Sequence, residues 1–307
     1  MSNKRQSIME NTVKYNSIAA AAAVLFLTTT VSCKKTDVGY GDNTTNEPGR
    51  IEILTSINAL TKAPVLDENG KGNFSDGDIF TVAVSGSGFP DITENYTTGS
   101  PGLLWSDLNL PEETVDVYFS GCYPVREPAA DGTFTFTVSP ENETDLLLAP
   151  AVKVRKNTGT AVTLAFRHAL HKLAVEYVPD GLTDGQLTQI STSFKALSSC
   201  SVDQAKGTIL ENTASGLSEV GTRQGRQVSC LIIPQEKDNI TLEVSLDGTV
   251  QSLGIPDYTQ DGSPVGMLEG GKCLTVRVKV SAGKISLDGV QIVGWEEQGT
   301  VDGELEL

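Results

Sequence analysis

The chain has 307 residues, 20% of them charged, with 39 acidic against 23 basic side chains and a formal net charge of −16. A surface this acidic repels nucleic acid and anionic headgroups, which argues against a DNA-binding role and says little about fold. Thirty Gly, 13 Pro and the lack of long amphipathic runs point to short strands and turns, hence sandwiches or barrels.

Residues 1–33 read as an address. Lys4, Arg5 and Lys14 give a basic start, residues 18–27 an apolar run, and Thr30-Val31-Ser32-Cys33 a lipobox-like end. An apolar run of ten residues at ~1.5 Å each falls well short of a ~30 Å bilayer core. A charged start, a short apolar core and small residues before the break make a secretory signal. Cysteine at the break makes it a lipoprotein signal with Cys33 as the acylated N-terminus, a tether without a spanning helix. Loss of residues 1–32 removes Lys4, Arg5, Lys14 and Glu10 and takes the net charge from −16 to −18. Residues 34–50 are polar and read as a flexible tether.

About 275 residues remain, enough for two domains. Ile51, Ile53, Thr55, Ile57 and Ala59 alternate with mostly polar neighbours, the mark of a first strand, and Thr61-Lys62-Ala63-Pro64 ends it. The run Asp67-Glu-Asn-Gly-Lys-Gly-Asn73 looks like a calcium loop, but Lys71 sits at a ligand position and the spaced acids are missing; it reads as a hairpin turn. Residues 79–84, 115–120 and 133–138 are expected strands, and residues 103–110, with Trp105, run from a strand into a loop. Ser87 is not the nucleophile of a Gly-x-Ser-x-Gly elbow, because Ser85 stands where the first glycine belongs.

The middle of the chain carries the clearest pattern. After Asp145-Leu-Leu-Leu-Ala-Pro150, Val162, Leu164 and Phe166 alternate with Thr163, Ala165 and Arg167. Leu173, Val175 and Tyr177 alternate again, but on odd positions. A continuous strand cannot change face without a bulge or a turn. Residues 168–172 are therefore expected to form a bulge or one helical turn, with Ala169, Leu170 and Leu173 inward. On this reading residues 145–150 close an N-terminal β-sandwich (51–155), and residue 162 opens the first strand of a C-terminal one (156–307).

The two histidines, His168 and His171, are too few for a zinc site, and no nucleophile in a sharp turn accompanies them; His168 reads as a structural histidine. Cys122, Cys200, Cys230 and Cys273 match no Cys-x-x-Cys spacing. They allow three pairings among which the sequence does not choose, and buried free thiols are the plainer reading. No metal or cofactor is expected.

Further on, residues 187–197 read as a strand or a short helix, and residues 228–233, 240–244 and 274–280 as strands. Asp247-Gly248 and Ala282-Gly283 supply hairpin turns. Ile285, Leu287, Val293 and Trp295 share one parity while Val290 and Ile292 take the other, so this strand is buried on both faces or bulged. Val301, Gly303, Leu305 and Leu307 alternate as a last strand.

The Asp145-Leu-Leu-Leu-Ala149 element followed by Leu164-x-Phe-x-His-x-Leu-x-Lys-Leu-x-Val175 resembles the fimbrillin (Mfa-like/FimA-like) family, the subunits of type V pili in anaerobic Gram-negative bacteria. The resemblance runs from the lipoprotein signal to Ile292-Val-Gly-Trp295. It implies an all-β fold of two β-sandwich domains with Greek-key, transthyretin-like topology. It also implies a mechanism: fimbrillins are made as lipoproteins whose first strand is cut away after a basic residue in a Thr-Arg-Ala-like loop, and the emptied groove accepts a strand from another subunit. Carried across, residues 51–60, with Ile51, Ile53 and Ile57, are the removable strand, and Lys62 is the cleavage residue, a departure from the usual arginine. Arg50 offers an alternative cut that would leave the strand in place. Shaft subunits donate a C-terminal strand, for which Val301, Leu305 and Leu307 are the candidates.

The expected role is thus a non-enzymatic pilus subunit at the cell surface, held by lipid in the outer membrane. Its partners would be other subunits through strand exchange, a processing protease and the membrane. The alternative is a surface lipoprotein that does not polymerise, binding a glycan or host ligand, or a tip adhesin. Two tryptophans and 6% aromatic residues make a sugar-stacking platform the less favoured form of it. A hydrolase would need a His–nucleophile–acid set, and none presents itself.

Overall fold

The computed structural model describes residues 49–57, 74–141, 144–260 and 262–281, together with the backbone of 284–291 and 300–301. The N-terminal strands are β1 (Arg50–Ile51), β2 (Ile53–Ile57), β3 (Ile79–Ser85), β4 (Ile92–Thr97), β5 (Leu103–Leu104), β6 (Asp116–Tyr123), β7 (Thr133–Thr137), β8 (Leu147–Arg155) and β9 (Val162–His168). Six of them form one sheet in the order β2-β9-β8-β6-β3-β4. Period-2 alternation turns into a single apolar face. Phe80, Val82 and Val84 of β3, Val117 and Phe119 of β6, and Val162, Leu164 and Phe166 of β9 all enter the first core, along with Ile53 and Ile57. Phe74, Phe80 and Phe166 meet there with ring centroids 4.9–5.1 Å apart. Gly121 makes room for them: a Cβ at this position would lie 2.5 Å from the Phe166 ring.

The rest of the chain gives β10 (His171–Asp180), helix α1 (Asp184–Leu187), β11 (Ser191–Leu197), β12 (Ser199–Asp203), β13 (Thr208–Asn212), β14 (Leu217–Gln224), β15 (Gln227–Ile232), β16 (Gln235–Glu236), β17 (Thr241–Leu246) and β18 (Thr249–Gly254). Three two-residue strands follow, β19 (Thr259–Gln260), β20 (Ser263–Pro264) and β21 (Met267–Leu268), then β22 (Cys273–Ser281), β23 (Lys284–Gln291) and β24 (Thr300–Val301). A five-stranded sheet, β15-β10-β22-β23-β24, and a four-stranded one, β14-β11-β17-β18, share the second core. Tyr177 of β10 and Thr192 of β11 tie the two sheets by a buried hydroxyl–hydroxyl contact of 2.5 Å, which satisfies both polar tips inside an apolar layer. Asp247 and Gly248 both take positive φ, 50° and 80°, the tight hairpin turn that their sequence announces.

Several strands sit elsewhere than expected. Residue 162 does not open the C-terminal half. β9 pairs with β8 and β2 and its apolar side chains lie in the first core, because a short turn through Asn157 (φ 60°) folds it back as an antiparallel neighbour of β8. The change of parity at 168–172 is neither a bulge within one strand nor a helical turn. The chain bends at Ala169–Leu170 and passes from the first sheet, β9, to the five-stranded sheet, β10, with Leu170 and Leu173 buried and Ala169 partly so. Conversely β7, expected in the N-terminal half, pairs with β12 and seats Phe134 and Phe136 in the second core. Of residues 103–110, the first two alone are strand. Residues 187–197 end α1, which Thr183 and Gln186 close with a capping box, and supply β11. The loop at 67–73 and the turn at 282–283 lie outside the described residues.

Candidate functional site: the seat of the first strand

The first strand changes partner at Glu52. Upstream, Arg50 and Ile51 pair antiparallel with Leu104 and Leu103. Downstream, Ile53 to Ile57 run parallel to Val162 to Phe166 of β9. Between the two, the Glu52 carbonyl accepts the Val162 N–H at 2.8 Å. Among the described residues β2 has β9 on one side and no strand on the other, so it closes the sheet as an edge. Ile51, Ile53 and Ile57 are buried in the first core, while Leu54, on the opposite face, is 49% exposed.

A clasp formed by the β4–β6 connection holds the upstream end. The Trp105 N–H donates to the Gly49 carbonyl at 2.8 Å, and the Trp105 ring is buried edge-on against Phe119 at 5.8 Å. Gly102 (φ +91°) lets the backbones approach: a Cβ there would lie 2.8 Å from the Ile51 carbonyl oxygen, a contact that admits no other residue without a shift. Lys156 pins the far end of the connection by donating to the Pro111 carbonyl at 2.7 Å.

Three buried isoleucines contribute about 2–3 kcal/mol each, so side-chain seats hold this strand together with the ladder to β9 and the clasp. Its departure would strip partners from β9 backbone groups, at ~1–3 kcal/mol for each one left unsatisfied. Such a trough favours capture of another extended segment.

The two motifs that carry the family resemblance meet in space. The Asp145 carboxylate lies 2.5 Å from His168 Nδ1, both buried, and it also accepts the Leu146 N–H at 2.8 Å. Burial pulls the His168 pKa down, and the hydrogen bond and charge of Asp145 oppose it. His171 Nδ1 faces the Glu269 carbonyl at 2.9 Å, and burial first of all takes its pKa down to about 4. Both imidazoles are buried groups that fix the crossing from β9 to β10. Among the described residues no group of three His, Cys, Asp or Glu could hold a metal. Cys122, Cys200, Cys230 and Cys273 are buried and form no disulfide with one another, and burial pushes the Cys122 and Cys200 thiols up to about 12.

Of the residues singled out in the sequence, Ile51, Ile53 and Ile57 come together in one core, and Arg50 lies beside Leu104 in β1. Val301 pairs with Val290 in the β23–β24 ladder. Cys33, Lys62, Leu305 and Leu307 lie outside the described residues. The clasp of Gly102, Leu103, Leu104 and Trp105 was not foreseen; a glycine three residues before Trp105 was its one signal.

The fimbrillin-like family matches residues 61–295, most of the chain and beginning just past the first strand. The chain belongs to the fimbrillin-like family. No curated protein matched it in a sequence search. Solved structures share its fold: a candidate cell adhesion protein of Bacteroides uniformis superposes with a TM-score of 0.58 at 16% identity, covering 82% of this chain and 99% of that one. Candidate cell adhesion proteins of Parabacteroides distasonis and Bacteroides ovatus give 0.52 at 10% identity and 0.50 at 14%, covering 84% and 83% of this chain and 100% and 99% of their own. No helix among the described residues of this fimbrillin-like protein is long and apolar enough to cross a membrane. Its family makes it a surface protein of the pilus or adhesive kind.

Proposed function

We propose that this fimbrillin-like protein is a structural, non-enzymatic pilus subunit, exported as a lipoprotein acylated at Cys33 and carried to the outer membrane. Cleavage after Lys62 then frees residues 51–62, and a strand from another subunit takes their place. The observation that supports this most is the construction of the first strand: β2 is a short edge strand parallel to β9, seated by Ile53 and Ile57, with Ile51 of β1 as a third seat. A strand paired on one side only is one that another extended segment can replace without disturbing the rest of the sheet. The division into sandwiches around residues 51–155 and 156–307 remains part of this reading, with β7 and β9 exchanged between the expected halves.

Limited trypsin digestion of the chain lacking residues 1–33 tests the proposal, read by N-terminal sequencing and unboiled gel electrophoresis. A cut after Lys62 followed by a detergent-resistant ladder is the expected result. Resistance at Lys62 under conditions that cut other exposed sites would overturn it and favour a permanently closed surface binding protein.

A further inference from the structure

The β8–β9 hairpin has the opposite charge to the rest of the molecule. Residues 146–175 contain no Asp or Glu but five basic residues, Lys153, Arg155, Lys156, Arg167 and Lys172, in a chain of net charge −16. Lys156 is engaged with the Pro111 carbonyl and Lys172 is half-buried. Lys153, Arg155 and Arg167 stand exposed on the sheet face turned away from the first core. The facing carboxylate on β6 is Asp116, opposite Arg155 in register and 2.8 Å from Lys153. That one acid faces both Lys153 and Arg155, while Arg167 stands at the other end of the hairpin, opposite Leu148.

The resident strand answers this charge through Glu52 alone. Its outward residues are Leu54 beside Thr163 and Ser56 beside Ala165, with exposed Glu52 ahead of them. The C-terminal segment Val301-Asp-Gly-Glu-Leu-Glu-Leu307 has the same length and parity, but a carboxylate at every second position. Laid in the seat with Val301 in place of Ile51, it turns Val301, Leu305 and Leu307 inward. Asp302, Glu304 and Glu306 then take the places of Glu52, Leu54 and Ser56. Glu306 stands beside Ala165, two residues from Arg167 on the same face of β9, the diagonal spacing at which long side chains meet across strands. Gly303 leaves the Ile53 seat short of a side chain, so charge rather than packing sets the preference.

We propose that the outer face of the β8–β9 hairpin, through Lys153, Arg155 and Arg167, is an electrostatic docking strip for the acidic C-terminal strand of a second copy of this chain. The inference rests on the strand-exchange reading above and adds to it the partner and the source of selectivity. Cations on the exposed rim steer an anionic strand and favour it over a neutral one, and salt screens that advantage.

The test uses the chain cut after Lys62 and two fluorescent peptides of residues 299–307, one native and one carrying Asp302→Asn, Glu304→Gln and Glu306→Gln. Fluorescence anisotropy at low and high salt reads their binding. The native peptide should bind roughly ten-fold tighter at low salt, the summed effect of a few exposed ion pairs. That margin should shrink with salt and level or reverse in an Arg155→Glu/Arg167→Glu variant. Equal, salt-insensitive binding of both peptides overturns the docking strip while leaving strand exchange intact. A preference that survives the double variant also overturns it. Binding of neither peptide defeats the strand-exchange reading itself, and the strip with it.

Discussion

Ile53→Asp in the uncut chain puts the seat of the first strand to a direct test. Ile53 is 7% exposed and lies opposite Val162 of β9. Removing the isoleucine forfeits about 2–3 kcal/mol of burial. The carboxylate then either ionises without a partner or stays protonated with its pKa raised by several units, at about 1.4 kcal/mol per unit. The two effects together reach ~5 kcal/mol or more, against the ~5–15 kcal/mol that typically separates folded from unfolded chains. At ~2–4 °C per kcal/mol for a chain of this size, the melt followed by far-UV circular dichroism should fall by about 10–20 °C. Trp105 gives a second, local readout: with Trp295 replaced by phenylalanine, its emission should move to the red as the clasp loses the strand. An unchanged melting temperature with unshifted emission would refute the burial argument and the exchange scheme built on it.

Acid should destabilise the fold through His171. Its folded pKa of about 4 lies below the unfolded ~6.5, so the stabilisation is complete above pH ~6.5 and declines as pH falls toward 4, by at most about 1.4 kcal/mol per unit. His168 shifts in the same direction. Urea midpoints from pH 7 to 4.5 should show a shallower slope in His171→Gln than in the parent, and equal slopes would refute the assignment. Gly207→Ala should cost about 2 kcal/mol or more in urea, since φ there is +63° and a Cβ would lie 2.3 Å from the Ala149 carbonyl oxygen; a neutral effect would mean the turn yields freely. Cys122 and Cys200 should resist thiol reagents at pH 8 in the native state and react promptly in urea, and rapid native labelling of either would contradict their burial.

Alternation in the sequence told which residues face inward, and it held at Val162–Phe166 and at Leu173–Tyr177; β3 is buried on both faces from Phe80 to Val84. It could not tell which strand lies beside which, because a period of two fixes a face and leaves the neighbour open. For that reason β7 and β9 were assigned to the wrong halves: Phe134 and Phe136 look the same in sequence whichever core receives them. The flip at His168 was visible as a problem, and its solution, a crossing between sheets anchored by Asp145 and His171, depends on contacts distant in the chain. In the candidate site the three isoleucine seats were legible. The change of partner at Glu52 and the Trp105 clasp were not, since both arise from a loop whose composition resembles any other.

The placement of β7 has a mechanical consequence. A fibre under tension loads every subunit along its length, and a body with two cores parts first at whatever joins them. Here the join is no linker. Phe134 and Phe136 are sunk in the second core, Ser120 Oγ donates to the Gln204 carbonyl at 2.6 Å, and Gly207 lies hard against Ala149. To pull the halves apart, a load must extract two phenylalanines and break a buried hydrogen bond together. In a filament joined by strand exchange as proposed above, stretch would therefore fall on the strands that link one subunit to the next.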